Sequence, residues 1–124
     1  MEKGIGEIIE MVKEDGQVLA VALFGSYLKR KGRDIDICIF LKKKLTNLEM
    51  SKKRLDFLKG LNEKFDVNIF QQLPLYVRSR VLKEGKILFC KDEDALYDLS
   101  FLTIKEFEFY KKVYSMCLER VKNG

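Results

Sequence analysis

Apolar and polar positions change their spacing along the chain, and these changes predict an alternating order of helices and strands. Residues 2–14 carry apolar side chains at helical spacing, and the segment 18–24 is an unbroken apolar run, typical of a strand that is buried on both faces. A second strand is predicted over 34–41. A helix is predicted over 47–59, capped by Thr46 or Asn47, with its leucines on the buried side: Leu48, Leu55, Leu58 and Leu61. Apolar and polar residues then alternate strictly over 65–70, which predicts a third strand.

The second half of the chain continues the alternation. Pro74 suits the first turn of a helix over 74–84, Gly85 ends that helix, and residues 86–90 read as a short last strand. A helical pattern then runs from Asp92 to Val121, and Ser100–Thr103 mark where it could break. The order predicts an α/β (α+β) fold, a small mixed β-sheet flanked by helices. We expect one domain, 1–124, with a core over 1–90 and a C-terminal helical extension over 91–124.

The C-terminal helix is apolar on two faces. One line consists of residues three or four positions apart: Leu96, Leu99, Thr103, Phe107, Tyr110, Tyr114, Cys117 and Val121. A second line comprises Leu102, Phe109, Val113 and Met116. Such a helix needs two packing partners, so residues 96–121 are either wedged into the domain's own core or form a surface for a protein partner or a homo-oligomer.

Composition and charge exclude several classes of function. The chain has no histidine, and its three cysteines lie far apart, which removes His-based acid–base catalysis, Ser-His-Asp triads and the usual zinc sites. The net charge of +5 permits polyanion binding, but no strand interleaves aromatic and basic residues, which disfavours a nucleic-acid binder. With no apolar run of membrane-spanning length and no signal-peptide pattern, we expect a cytoplasmic protein without membrane contact.

Two aspartates begin the second predicted strand. Side chains alternate along a strand, so Asp34 and Asp36 point to one face while Ile35 and Ile37 point to the other. Two carboxylates side by side can bind a hard cation such as Mg²⁺, and the preceding Gly25-Ser26 turn can approach a phosphate closely. The plainer interpretation is that the pair keeps a strand edge soluble.

Asp66 is the only acidic residue inside another predicted strand, so it could complete a set of three carboxylates; alternatively it is a residue of the preceding turn. In the first case Asp34, Asp36 and Asp66 would be metal ligands and catalytic residues. Asp66 would either help to hold a second metal ion or accept a proton from an attacking hydroxyl. Gly25 and Ser26 would bind a triphosphate through backbone amides. The nearby basic residues would neutralise a leaving pyrophosphate or belong to a solvated turn: Lys29, Arg30, Lys31 and Arg33.

Taken together, Gly25-Ser26, Asp34-Ile35-Asp36 and Asp66 after an intervening helix resemble the minimal nucleotidyltransferases of the DNA polymerase beta superfamily. The similarity covers about residues 5–90, including the segment Gln72-Leu73-Pro74-Leu75. The loop over 27–33 is shorter than is usual in that family.

The resemblance implies a nucleotidyltransferase-like fold, one or two Mg²⁺ ions and ATP or another nucleoside triphosphate as substrate. It implies triphosphate binding at Gly25 and Ser26 and metal binding at Asp34, Asp36 and Asp66. Many members are antitoxins that silence a HEPN-domain ribonuclease by transferring AMP to one of its tyrosines, so an antitoxin with a HEPN-like toxin as partner is expected. The alternative is a catalytically inactive binding module, an antitoxin that acts by complex formation through its C-terminal helix.

Overall fold

Helices and strands alternate in the computed structural model, which describes residues 3–25 and 35–123. The helices are α1 (Lys3–Glu14), α2 (Asn47–Lys59), α3 (Leu75–Glu84) and α4 (Glu93–Asn123). The strands are β1 (Val18–Phe24), β2 (Ile35–Leu41), β3 (Phe65–Ile69) and β4 (Lys86–Cys90), and a 3-10 turn covers Phe70–Gln72. The predicted order of elements is confirmed.

The four strands of the described residues form one mixed sheet in the order β3-β2-β1-β4. β1 pairs antiparallel with both β2 and β4, whereas β2 and β3 pair parallel. The parallel pair is connected through α2, as a parallel connection requires a crossover. This confirms the predicted small mixed sheet and leaves β3 at one edge and β4 at the other.

Each face of the sheet carries its own apolar core, because successive side chains of a strand point to opposite faces. On the first face, α1 and α2 cover the strands; this core includes Ile8, Val12, Val21, Ile35, Ile37, Ile39, Met50, Phe57, Val67 and Ile69. On the second face, α3 and the beginning of α4 cover the strands; this core includes Ala20, Ala22, Cys38, Phe40, Phe70 and Val81, with Leu96 and Leu99 packed against it. Asp36 and Asp66 therefore lie on the face of the second core.

The buried side of α2 differs from the one that its leucines predict. Leu48 is 81% exposed and Leu55 54% exposed, while Met50 and Phe57 are buried. Each leucine lies two positions from one of the buried residues, roughly 200° around the helix, so both sets cannot face one sheet. The expectation that Leu48 and Leu55 are buried was wrong. The predicted cap is confirmed at Thr46, whose hydroxyl accepts from the amide of Glu49 at 3.2 Å.

Two further boundaries differ from the predicted ones. β3 ends at Ile69, and Phe70 starts the 3-10 turn, where its ring stacks on Phe40 with 4.4 Å between centroids. α4 runs without the break that Ser100–Thr103 suggested. The buried hydroxyl of Thr103 donates to the carbonyl of Leu99 at 2.8 Å, so this polar group is satisfied inside the helix.

α4 extends far beyond the two cores. Its 31 residues correspond to about 46 Å of helix, and its first turns pack through Leu96 and Leu99. Phe107 is half-buried, and each residue from Glu108 to Lys122 is exposed. Of the described residues, no helix combines the length and the apolar character needed to cross a membrane.

Asp15, at the end of α1, anchors this helix to two other elements. Its carboxylate accepts from Lys53 of α2 at 2.6 Å and from the backbone amide of Gln17 at 2.9 Å, and its carbonyl oxygen accepts from Lys91 at 2.5 Å. Burial alone would raise the pKa of Asp15. The hydrogen bonds from Lys53 and Gln17, with the charges of Lys53 and Lys91, outweigh it, so the pKa lies below the ordinary 3.8.

We therefore expect Asp15→Asn to lower the free energy of unfolding by about 1–2 kcal/mol at pH 7. Because the pKa is lower in the folded state, this contribution is present above pH 4 or so and is lost as the pH falls through the folded pKa. Urea unfolding of both proteins at pH 7 and at pH 3 measures the difference. Asp98→Asn, at an exposed position of α4, is the control, and a gap between Asp15→Asn and wild type that stays the same at both pH values would contradict the prediction.

Candidate functional site

Gly25 follows β1 directly and lies against the carboxylate of Asp36. In the antiparallel β1–β2 pair, Phe24 is the register partner of Asp36, which brings the end of β1 beside the start of β2. Gly25 has a φ of +81°, and a Cβ built there would overlap Oδ2 of Asp36 and lie 3.3 Å from its Cγ. Only a glycine lets the backbone take this conformation and approach the carboxylate this closely.

Asp36 and Asp66 are register partners in the parallel β2–β3 pair. Partners in neighbouring strands point to the same face, and the strands lie about 4.8 Å apart, so the two carboxyl groups emerge side by side. Both side chains are half-buried. The structure thus brings together three predicted site residues at one end of the sheet: Gly25, Asp36 and Asp66.

The other predicted site residues lie outside the described residues: Ser26, Lys29, Arg30, Lys31, Arg33 and Asp34. Within 3–25 and 35–123, no group of three acidic, cysteine or histidine side chains is gathered that could hold a metal ion. The described part supplies two carboxylates, and oxygen atoms of this type are the ligands that Mg²⁺ takes in proteins, together with water and substrate phosphates. The donor chemistry at Asp36 and Asp66 fits such an ion.

Arg54 of α2 contacts the site and was not among the predicted residues. Its Nη2 donates to Oδ1 of Asp66 at 3.2 Å, and its Nε donates to the carbonyl oxygen of Val67 at 2.5 Å. In the sequence Arg54 ends the basic run Lys52-Lys53-Arg54, and nothing in that run distinguishes it. Only the crossover geometry, which lays α2 along β3, reveals its position.

A recess lies beside Gly25, and α3 forms its other wall. Phe24 and Val77 give it an apolar lining, and Arg80 and Glu84 add one charge of each sign. Arg80 donates from Nε to Oε2 of Glu84 at 3.2 Å. The sequence analysis did not predict that α3 contributes to the site, although Arg80 in the helix after Pro74 was a visible basic residue.

Cys38 shares the face of Asp36 but not its chemistry. It is fully buried in the second core, and burial raises the pKa of its thiol far above the ordinary range. A thiol that stays protonated is neither a nucleophile nor a metal ligand. The polar site therefore ends at Asp36, and the next residue on this face belongs to the core.

We expect Gly25→Ala to lower the free energy of unfolding by about 1–3 kcal/mol, because the new Cβ requires strained backbone and displaces the Asp36 carboxylate. Urea unfolding measures this. Gly16→Ala is the matched control: nothing lies within 4 Å of a Cβ at Gly16, and its φ lies outside the left-handed region. Equal stability of the two variants would show that Gly25 is not constrained.

Comparison with known proteins decides the family. The family model described as "Polymerase beta, Nucleotidyltransferase" matches residues 6–94, which include Gly25, Asp36 and Asp66. The chain belongs to the polymerase beta nucleotidyltransferase family. This confirms the resemblance in the sequence, and the fold is that of a nucleotidyltransferase with a long C-terminal helix.

This chain has a relative with an informative name. It is 37% identical over 76 residues to a protein of Methanocaldococcus jannaschii that is named as a candidate protein adenylyltransferase. The match covers 59% of this chain and 57% of that protein.

Solved structures share the fold across almost the whole chain. One is the complex of a tri-AMPylated HEPN toxin from Shewanella oneidensis with an MNT antitoxin; a chain of it has a TM-score of 0.70 and 19% identity, with 95% of each chain covered. Another is a toxin–antitoxin complex with AMP-PNP, with a TM-score of 0.70, 20% identity and coverage of 94% of this chain and 97% of that one. At this coverage the shared fold includes the extended helix α4.

Proposed function

We propose that this chain transfers AMP from ATP to a hydroxyl group of a partner protein, in the presence of Mg²⁺, and that it acts as the antitoxin of a HEPN-like toxin. The main observation in support of the proposal is that Gly25, Asp36 and Asp66 lie close together at one end of the sheet. Membership of a nucleotidyltransferase family supports the reaction class. The adenylyltransferase-named relative and the AMPylated toxin complex support AMP and a protein acceptor.

The reaction needs three things from the chain. The acceptor hydroxyl oxygen attacks the α-phosphorus of ATP, the bond from that phosphorus to the bridging oxygen breaks, and pyrophosphate leaves with its electron pair. The chain must position the triphosphate, neutralise its charge and accept the hydroxyl proton. When bound, one or two Mg²⁺ ions supply the neutralisation, and Asp34, Asp36 and Asp66 would hold them.

The chain's own residues have separate tasks in this scheme. Gly25, whose φ is +81°, would let the backbone approach the triphosphate. Ser26 would donate its hydroxyl and amide to a phosphate oxygen. The basic residues at 29, 30 and 33 would stabilise charge on the leaving pyrophosphate. Asp66, which is half exposed, would accept the proton of the attacking hydroxyl.

α4 would supply the contact with the partner. Between Glu108 and Lys122 every residue is exposed, and a wide apolar face runs along this segment. A helix of this length without tertiary contacts is marginally stable alone, so its apolar face favours a partner. In the described residues this face is uncovered. The toxin–antitoxin complexes of the same fold make a HEPN-like toxin the favoured occupant over a second copy of this chain. The three cysteines are free, which is consistent with the cytoplasmic location that we propose.

The test is transfer of label from ATP to a HEPN-like partner. Incubation with Mg²⁺ and ATP labelled at the α-phosphate should label the partner, whereas ATP labelled at the γ-phosphate should not. Only AMP transfer gives this combination, because phosphoryl transfer would move the γ-label instead. Mass spectrometry of the labelled partner should then locate AMP on a hydroxyl-bearing residue, which the resemblance suggests to be a tyrosine.

The second candidate function is a binding module without catalysis, which the exposed α4 face favours independently of the site. In that case a stable complex with the partner forms, and no α-label moves with Mg²⁺ or Mn²⁺. Absence of both label transfer and complex formation would contradict both candidates.

A further inference from the structure

Arg54 joins two groups at the outer edge of β3. Its Nε donates to the Val67 carbonyl at 2.5 Å, and its Nη2 donates to Oδ1 of Asp66 at 3.2 Å. We propose that Arg54 is a positioning residue that holds the Asp66 carboxylate where it can bind a divalent ion together with Asp36. The inference deepens the proposed function and rests on it, since it assigns a task to a residue of the same site.

The contact with Val67 makes Arg54 a fixed donor. β3 pairs only with β2 in the described sheet, so the outward carbonyl groups of β3 have no strand partner there. Arg54 donates to one of these carbonyls, so the backbone of β3 helps to fix the position of its guanidinium independently of the carboxylate. A planar guanidinium donates to the two groups from two nitrogen atoms in one rigid plane, whereas a lysine ammonium has a single donor nitrogen on a flexible stem.

The contact with Asp66 uses one carboxylate oxygen. Half of the Asp66 side chain and 37% of the Arg54 side chain are exposed, so solvent screens the attraction between their charges. Charge alone would then hold the carboxylate only weakly, whereas the two-point contact of Arg54 restricts where Oδ1 lies. Removal of residues that orient a metal-binding side chain typically lowers metal affinity or activity by about 10- to 100-fold.

A different role for Arg54 predicts the opposite change in metal affinity when Arg54 is removed. If the guanidinium only offsets the negative charge of Asp36 and Asp66, it repels a divalent cation, and its removal tightens metal binding. Because the pair is partly exposed, this gain would be about fivefold at most. The direction of the change in metal affinity therefore separates positioning from charge compensation.

The experiment measures the Mn²⁺ dissociation constant by titration of the free-ion electron paramagnetic resonance signal, and the rate of AMP transfer to the partner. Arg54→Met and Arg54→Lys are compared with wild type. Arg78→Met is the matched control, because Arg78 also contacts a carbonyl and a carboxylate, at Leu73 (3.0 Å) and Glu106 (3.8 Å), away from the site.

We expect both Arg54 variants to bind Mn²⁺ about 10- to 100-fold more weakly than wild type, with the transfer rate lowered in parallel, and Arg78→Met to stay within about threefold. Unchanged or tighter binding by Arg54→Met would overturn the inference. So would full recovery in Arg54→Lys, which keeps the charge but replaces the planar guanidinium by a single nitrogen on a flexible stem. Thermal melts establish that the variants fold; if Arg54→Met does not, Arg54→Lys decides.

Failure of the proposed function has a different signature. A wild-type protein that binds Mn²⁺ but transfers no AMP would contradict the transferase proposal, while the ratio of dissociation constants would still decide the role of Arg54. A wild-type protein that binds no Mn²⁺ even with ATP present would overturn the role assigned to Arg54.

Discussion

Asp36→Asn is expected to lower the rate of AMP transfer by about 10³-fold, the largest effect of any single change. Asn keeps the shape of the side chain but removes its negative charge and replaces a carboxylate oxygen by an amide group. Asp36 is the central member of the site, since Gly25 lies against its carboxylate and Asp66 is its register partner. Initial rates with α-labelled ATP and the partner protein measure the effect.

The same substitution should leave the fold intact. Asp36 is half-buried at the rim of the second core, and an isosteric side chain neither opens a cavity nor overlaps Gly25. We expect a change in melting temperature of only a few degrees, as for a change of about 1 kcal/mol or less in a domain of this size. Asp98→Asn, on the exposed surface of α4, should retain the full rate.

Asp66→Asn offers an independent check of the pair. If Asp36 and Asp66 act as one unit, the double variant loses little more activity than the stronger single variant, because groups that act together have non-additive effects. Transfer by Asp36→Asn within tenfold of wild type would show that this carboxylate does not take part in the reaction.

Val113→Asp should weaken binding to the protein partner by at least about 100-fold, the second large effect. Val113 lies between Phe109 and Met116 on one line of α4, at positions four and three residues away. All three side chains are exposed in the chain alone, so a charge there does not disturb either core. In the complex, the same charge would be buried against an apolar surface without compensation.

Ser115→Asp is the matched control for Val113→Asp. It introduces the same charge on the same exposed segment, but roughly 200° around the helix, outside the line formed by Phe109, Val113 and Met116. Isothermal titration calorimetry with the partner should give near wild-type affinity for Ser115→Asp. Equal affinities of the two variants would show that the partner binds elsewhere, and equal melting temperatures of the free proteins would confirm that neither variant is unfolded.

Local patterns in the sequence were sufficient to predict the helices and strands and part of the candidate site. The unbroken apolar run of β1 and the alternation in β3 define their strands whatever the tertiary context, since both patterns have a single period. Alternation also placed Asp36 and Asp66 opposite the isoleucines and valine of the first core. Gly25 was identifiable because a glycine that ends a buried strand permits close approach to a ligand.

Such local patterns could not predict contacts between distant segments of the chain. The pairing of Asp36 with Asp66 depends on the parallel register of β2 and β3, which many residues of both strands determine together. Arg54 became part of the site only because α2 crosses along the edge of β3. In α2 itself, Leu48 and Met50 offered two competing apolar faces, and the choice between them depends on which fits against the sheet.

The parallel pairing of β2 and β3 has a consequence for the unfolded chain. Asp36 and Asp66 become neighbours only when the crossover through α2 has closed, so the unfolded polypeptide lacks the carboxylate pair. A ligand that recognises the pair would bind the native sheet and not the unfolded chain, and by mass action it would shift the folding equilibrium towards the native sheet. Substrate occupancy and the lifetime of the folded protein would then rise together.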